Sequence, residues 1–278
     1  MSRLPAYLGQ SQSAEALEQA LLRKLVVPEG WRESSFQTMD FAARERNLSS
    51  MEHIVATTLR SAVAAYALGE ARAWHEAVTI ISRANLGVWP TPWDFPLGLL
   101  VNYSALSIAI GDRAEAQAVA RRIDESASGV PAGCRLADER ELFALLALTR
   151  CHPGRVEHVV RLRGAAKEQG LGTFGTRRCA ALGALMDAVA WLDGEAMGEA
   201  AIELDVVLRE NFELELARFG RGRMSDLSAS SMLDLTAIGV LALARGFGLN
   251  PPTSPFFDLD WISRAVPSHM ERCSARSP

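Results

Sequence analysis

Aromatic residues are scarce in this chain: Phe, Trp and Tyr make up 7% of its 278 residues. No segment keeps the strict apolar–polar alternation of a half-buried strand, which argues against a sheet-based fold. Cysteine is sparse as well. Cys134, Cys151, Cys179 and Cys273 lie far apart with no CxxC pair, so they read as reduced thiols and not as a disulfide framework. Excess positive charge is lacking, with 29 Lys and Arg against 33 Asp and Glu and a net charge of −4. That balance excludes a general binder of nucleic acid or membrane surfaces. The longest apolar run, Ala237 to Ala244, is far too short to cross a bilayer. The stretch MSRLPAYLGQSQSAEAL has no apolar core of the signal-peptide type. A soluble, cytoplasmic protein is expected.

Enzyme motifs are equally wanting. GLGTFG, from Gly170 to Gly175, matches GxGxxG in letters only. The dinucleotide fingerprint needs a strand before it, whereas VVRLRGAAKEQ is helical in pattern, so an interhelical linker is expected. His75-Glu76 opens like HExxH, but position 79 is Thr, which removes the second ligand. Cys151, His152 and His158 could be imagined around zinc, yet a six-residue separation puts the two imidazoles on different helix faces. GxSxG and Walker sequences are absent. No catalytic, cofactor-binding or metal-binding residue is expected.

What the chain has in quantity is Ala and Leu, within 49% hydrophobic residues. Small apolar side chains let helices approach closely. From Leu182 to Asn211 apolar residues recur at helical spacing (Leu182, Leu185, Met186, Val189, Leu192), break at Asp193-Gly194, and resume (Met197, Ala200, Ala201, Leu204, Leu208). This predicts a helical hairpin in which Gly194 takes the left-handed turn and Asp193 caps the returning helix. Similar punctuation occurs at Gly69, Gly111 and Gly154, giving intervals of 42 (69 to 111), 43 (111 to 154) and 40 (154 to 194) residues. Such a period belongs to two-helix repeats. The expected fold is all-α, a single domain of stacked antiparallel helical hairpins, solenoid-like and similar to tetratricopeptide architectures. Residues 1–48 are expected to supply N-terminal capping helices, 49–216 the hairpins, and 217–278 a buried C-terminal helix and cap.

Along that frame, Ser13 can cap a helix from Ala14 to Leu25, and Ser49 with Glu52 matches the S-x-x-E capping box. The loop GVWPTPWDFP holds Trp89, Trp93 and Phe95 on prolines that stiffen the backbone. Its rings either plug a gap between hairpins or form a binding rim, for which Trp is a favoured residue. Leu233 to Ala244 is apolar nearly all round and should be central and buried.

Charge is segregated. Arg150 to Arg178 carries seven Lys or Arg against Glu157 and Glu168, and Asp193 to Glu215 carries eight acids against Arg209. At 100° per residue, Glu195, Glu199, Glu203, Glu210 and Glu213 fall within about 80° of helix circumference, with Val206 among them. Like charges at i, i+4 oppose helix formation. The stripe therefore serves solubility, pairs with the basic segment, or receives a basic partner.

AWLDGEAMGEAAIELDVVLRENF, then LDLTAIGVLALARGFGLN and SPFFDLDWI, resembles the immunity 49 family of all-helical bacterial proteins from polymorphic toxin systems. The resemblance covers about residues 182–262. It implies a cytoplasmic antitoxin that binds and occludes one cognate toxin, and it transfers no site residue. On the residues themselves, Glu195, Glu199, Glu203 and Glu210 are the candidates to steer a basic toxin surface, with Val206, Trp89 and Trp93 as anchors. The alternative is a tetratricopeptide-like scaffold or regulator that holds a cytoplasmic protein in a concave groove.

Overall fold

The computed structural model describes residues 3–8, 14–25, 48–84, 86, 95–125, 136–151, 155–168, 170–220 and 231–265. Trp89, Trp93, the segment 35–46 and most of the connector 219–231 lie outside them, as do Gly154, His152 and the side chain of Ser49. Among the described residues the fold is all-α, with twelve helices and one isolated β-bridge, Ser254 with Phe257. No described helix is long and apolar enough to cross a membrane.

Two compact units are distinguished. The first comprises 1–85 and 212–233, the second 86–211 and 234–278. In the first unit lie α1 (Leu4–Leu8), α2 (Ala14–Leu22), α3 (Leu48–Leu68) and α4 (Ala71–Ala84). α3 and α4 pack as a hairpin, burying Met51, Ile54, Val55 and Ala62 to Leu68 against Trp74, Ala77, Val78 and Ile81. Tyr66 and Trp74 meet at 6.0 Å between ring centroids. The Arg3 guanidinium lies 4.2 Å over the Tyr66 ring and donates to its hydroxyl at 2.9 Å. Tyr7 donates to the Met232 carbonyl at 2.8 Å and tilts against Phe212 at 5.6 Å.

The second unit holds α5 (Leu97–Ala109), α6 (Arg113–Glu125), α7 (Leu136–Thr149), α8 (Arg155–Glu168), α9 (Thr173–Trp191), α11 (Leu235–Gly246) and α12 (Leu259–Ala265). Helix α10 (Gly194–Gly220) belongs to it as far as Asn211. α9 starts nine residues ahead of Leu182 (173 against 182), so Thr173 to Gly175 are helical and only the residues before them make the expected linker. As its composition predicts, α11 is buried on every side, including Leu235, Ile238, Val240, Leu241 and Leu243. It packs against α5, α7 and α9, the first helices of three successive hairpins. A repeat in an open solenoid contacts only its neighbours. Here one helix from the far end of the sequence fills the surface those three present.

The turns explain the repeat. Helix ends at Gly69, Gly111, Cys151, Leu192 and Gly248 all have one left-handed residue, with φ of 75°, 89°, 50°, 58° and 86°. Four of them carry the paired backbone bonds of the Schellman motif, for example Asp112 N to Ser107 O at 2.8 Å and Asp193 N to Ala188 O at 2.9 Å. The sequence places Gly194 in that role. Instead Leu192 takes the left-handed turn and Gly194 opens α10. Asp193 caps as expected, its Oδ1 accepting from the amides of Glu195 at 3.1 Å and Ala196 at 3.0 Å. The left-handed positions inside the hairpins fall at intervals of 42 (69 to 111), 40 (111 to 151) and 41 (151 to 192) residues, while Gly170, with φ 67°, lies between two hairpins.

Gly239 is where α11 comes nearest α5, since a Cβ there would sit 2.9 Å from the Ala105 Cα. A methyl group cannot be placed so close to backbone without moving a helix. Gly239→Val is expected to cost about 2 kcal/mol or more through overpacking, read as a lowered midpoint in urea unfolding.

Candidate functional site

The sequence places its candidate surface on α10, and the helix divides there as the pattern predicts. Met197, Ala200, Ala201, Leu204 and Leu208 are buried, while Glu195, Glu199, Glu203 and Glu210 are exposed. The acids do not share one fate. Arg177 of α9 donates from Nη1 to Glu210 and from Nη2 to Glu203 at 3.5 Å, all three side chains remaining 39% exposed or more. The basic partner thus comes from the other helix of the same hairpin; the sequence grouped Arg177 with the preceding one. Glu195 and Glu199 make no ion pair among the described residues. No lysine or arginine occurs between Arg178 and Arg209, so the outer end of the hairpin is purely anionic.

Apolar side chains sit among those carboxylates. Val206 is 39% exposed, and Ile202, one turn earlier on the same face, is 66% exposed. At the hairpin tip Trp191 and Leu192 are 67% and 56% exposed. Large apolar residues at this level of exposure, rimmed by charge, mark interaction surfaces more often than isolated exposed leucines do. Ile202 and Trp191 were not singled out from the sequence, and Leu192, which the spacing assigns to the apolar face of the first helix, is instead exposed in the left-handed turn. Ile202 was legible there, because 100° per residue puts it about 20° from Glu195. The tip residues were masked by assigning the turn to Gly194.

The base of α10 is fixed on its inner side. Asp205 takes Arg209 Nη2 at 3.4 Å and the Ser254 hydroxyl, and the Arg209 guanidinium lies 5.6 Å from the Phe256 ring centre. Phe256 in turn gives its carbonyl to the amide of Asp234, at 3.1 Å. The helix that carries the exposed face is therefore coupled to the N-terminus of α11.

There the second unit buries its main charged cluster. Arg178 bonds Glu141 through Nη1 at 2.8 Å and Nη2 at 2.9 Å, and Asp234 through Nε at 2.7 Å and Nη2 at 3.1 Å. Glu141 also accepts from Thr236, and Asp234 Oδ1 caps α11 at the Ala237 amide, 3.0 Å away. Both carboxylates are under 10% exposed, at 7% and 1%. Burial pulls the Arg178 guanidinium down, but Asp234 and Glu141 outweigh it and hold its pKa well above the ordinary value. Every polar atom of the cluster named here is spent on structure. It links α7, α9 and α11 and offers no free group to a substrate.

One cleft deserves comparison with an active site. A cavity of about 450 Å³ opens between α6, α7 and α8, with Phe143 stacked on His158 at 6.0 Å and Cys151 at its lip. Its volume suits a small molecule. Its guanidinium, Arg150, is held by Asp124 at 2.6 Å. No described group of three or more His, Cys, Asp or Glu could hold a metal ion.

Two outcomes follow. Arg178→Met strands two buried carboxylates, for which the expected loss is about 3 kcal/mol or more, measured by chemical denaturation. Burial raises the Cys179 thiol to about 11, whereas Cys151 is exposed. At pH 8 iodoacetamide should therefore modify Cys151 in the native protein and reach Cys179 only after unfolding, as peptide mapping will show. Comparison of the chain with protein-family models, with curated proteins and with solved structures finds no match.

Proposed function

We propose that this chain is a non-enzymatic protein-binding protein that captures a basic protein through the outer face of α10. The observation that carries this reading is the combination on one rigid helix of unpaired Glu195 and Glu199 with exposed Ile202 and Val206. Carboxylates without cations nearby raise the rate of encounter with a positive surface and repel acidic competitors. The aliphatic pair between them supplies area that leaves water on docking. A surface with only the charges would collect counterions; one with only the aliphatic residues would be unselective.

Among basic partners, a bacterial toxin is the one implied by the resemblance of residues 182–262 to the immunity 49 family. The chain would then act in the cytoplasm as an antitoxin, covering its toxin and leaving the chemistry of the toxin untouched. The scaffold alternative, with a peptide held along the first helices of the hairpins, has less room, because α11 already packs on α5, α7 and α9. Glu203 and Glu210 take a lesser part, since Arg177 must release them before a partner can use them.

The test pairs the full chain with the protein encoded by the adjoining gene. Co-expression should protect growth against that protein. In stopped-flow association, Glu195→Lys combined with Glu199→Lys should slow binding about tenfold or more at low salt, with the difference shrinking as salt screens the charges. An association rate that is unchanged and insensitive to salt would remove α10 as the docking face.

A further inference from the structure

Leu192 occupies a backbone position that suits it poorly. Among the described residues, four of the other five left-handed positions are glycine, Gly69, Gly111, Gly170 and Gly248, whereas Leu192 has φ 58° and ψ 32°. A side chain at such a position is crowded by its own carbonyl, and glycine escapes that cost. Burial does not compensate, for the leucine is 56% exposed. The preceding residue repeats the anomaly: Trp191 is 67% exposed at the end of a helix whose Leu182, Leu185, Met186 and Val189 are fully buried. Two large apolar side chains thus project from a reversal whose backbone bonds, Leu192 N to Val189 O and Asp193 N to Ala188 O, hold them in place. Each leaves more than half of its surface in water.

We infer that Trp191 and Leu192 form the anchor by which the hairpin tip seats in an apolar pocket of a partner whose surrounding surface carries arginine or lysine. The charge of the partner follows from what surrounds the tip. Asp193, Glu195 and Glu199 are the nearest ionisable residues along the returning helix, and no cation occurs in sequence from Cys179 to Leu208. A second copy of the same tip is disfavoured by that same charge. Trp is the residue most enriched among binding hot spots, and its indole face also attracts a guanidinium. The geometry is pre-organised, because the αL turn is part of the hydrogen-bonded helix end, so little freedom remains to be lost on docking. This anchor rests on the docking role proposed for α10 and adds to it the residues that set the lifetime of the complex.

The test is a trade of stability against binding. A displayed library of random peptides is selected on the full-length chain, and the recovered peptides are resynthesised and titrated. The expected peptides combine Arg or Lys with a Leu, Ile or aromatic residue. Leu192→Gly and Trp191→Ala should each weaken them about tenfold or more, the scale of a hot-spot residue. Leu192→Gly should at the same time keep or raise Tm, by roughly 2 °C if the strain is fully relieved. A fall in Tm for Leu192→Gly would make the leucine a folding residue and overturn the inference. So would peptides that bind Leu192→Gly as tightly as the unaltered chain while losing the Glu195→Lys, Glu199→Lys variant; in that case the acidic face survives and the tip does not. Peptides without basic residues, or indifferent to that double variant, would remove the face and the tip together.

Discussion

A helix that is apolar on every side can exist in water only if other elements enclose it, and α11 imposes that demand on the second unit. Leu235, Ile238, Val240, Leu241 and Leu243 leave no polar face to turn outward, so α5, α7 and α9 must each present an apolar side to it. Close approach at Gly239 is one condition of this arrangement. The other is at the N-terminus of α11, where amides and a carboxylate are carried into the interior along with the hydrocarbon. Arg178 resolves that difficulty by bonding Asp234 and Glu141 together. Two carboxylates against one guanidinium leave an excess of negative charge, and the positive end of the α11 dipole with the Thr236 hydroxyl is well placed to offset it. Forming the helix and burying the charge are thus mutually dependent.

The C-terminus of α11 obeys the complementary rule. Arg113, the first residue of α6, reaches the Ala242 carbonyl at 3.5 Å and lies across Gly246, where a Cβ would collide with its guanidinium. A cation at that end suits the dipole. Tyr103 performs a related service one layer away. It accepts from the Leu86 amide at 3.1 Å and donates to Glu115 at 2.6 Å, while burial first, and then Glu115, hold the phenol well above its ordinary pKa. It therefore stays a neutral donor across the physiological range. With the first helices and these polar ends committed inward, exposed apolar area is left to outer faces such as that of α10.

Much of this was legible in the residues. Periodicity identified the hairpin of α9 and α10 and the buried character of α11, because helix-on-helix packing writes its contacts at i, i+3 and i+4. The apolar face of α10 was read residue by residue, Met197 to Leu208, and the exposed acids with it. Pairing was less legible. Arg177 and Arg178 are adjacent in sequence and both basic, yet one bonds two exposed glutamates and the other is sealed between Glu141 and Asp234. Their separation by 100° around α9 decides the matter, and the start of α9 had been placed too late for that angle to be used. The turns misled for a different reason. Glycine is the common left-handed residue, so Gly194 attracted the role, but Asp193 needs the amides of the following residues for its cap. That requirement moves the reversal two positions back, onto a leucine.

The even intervals between the left-handed positions inside the hairpins carry a further implication. What repeats in this chain is the distance between reversals, a quantity set by how many helical turns fit across the layer, whereas the residue performing the reversal varies among Gly, Cys and Leu. Divergence at those corners would leave the framework intact while erasing the letters by which kinship is usually detected. Two such proteins could share every helix boundary and still look unrelated when their sequences are laid side by side.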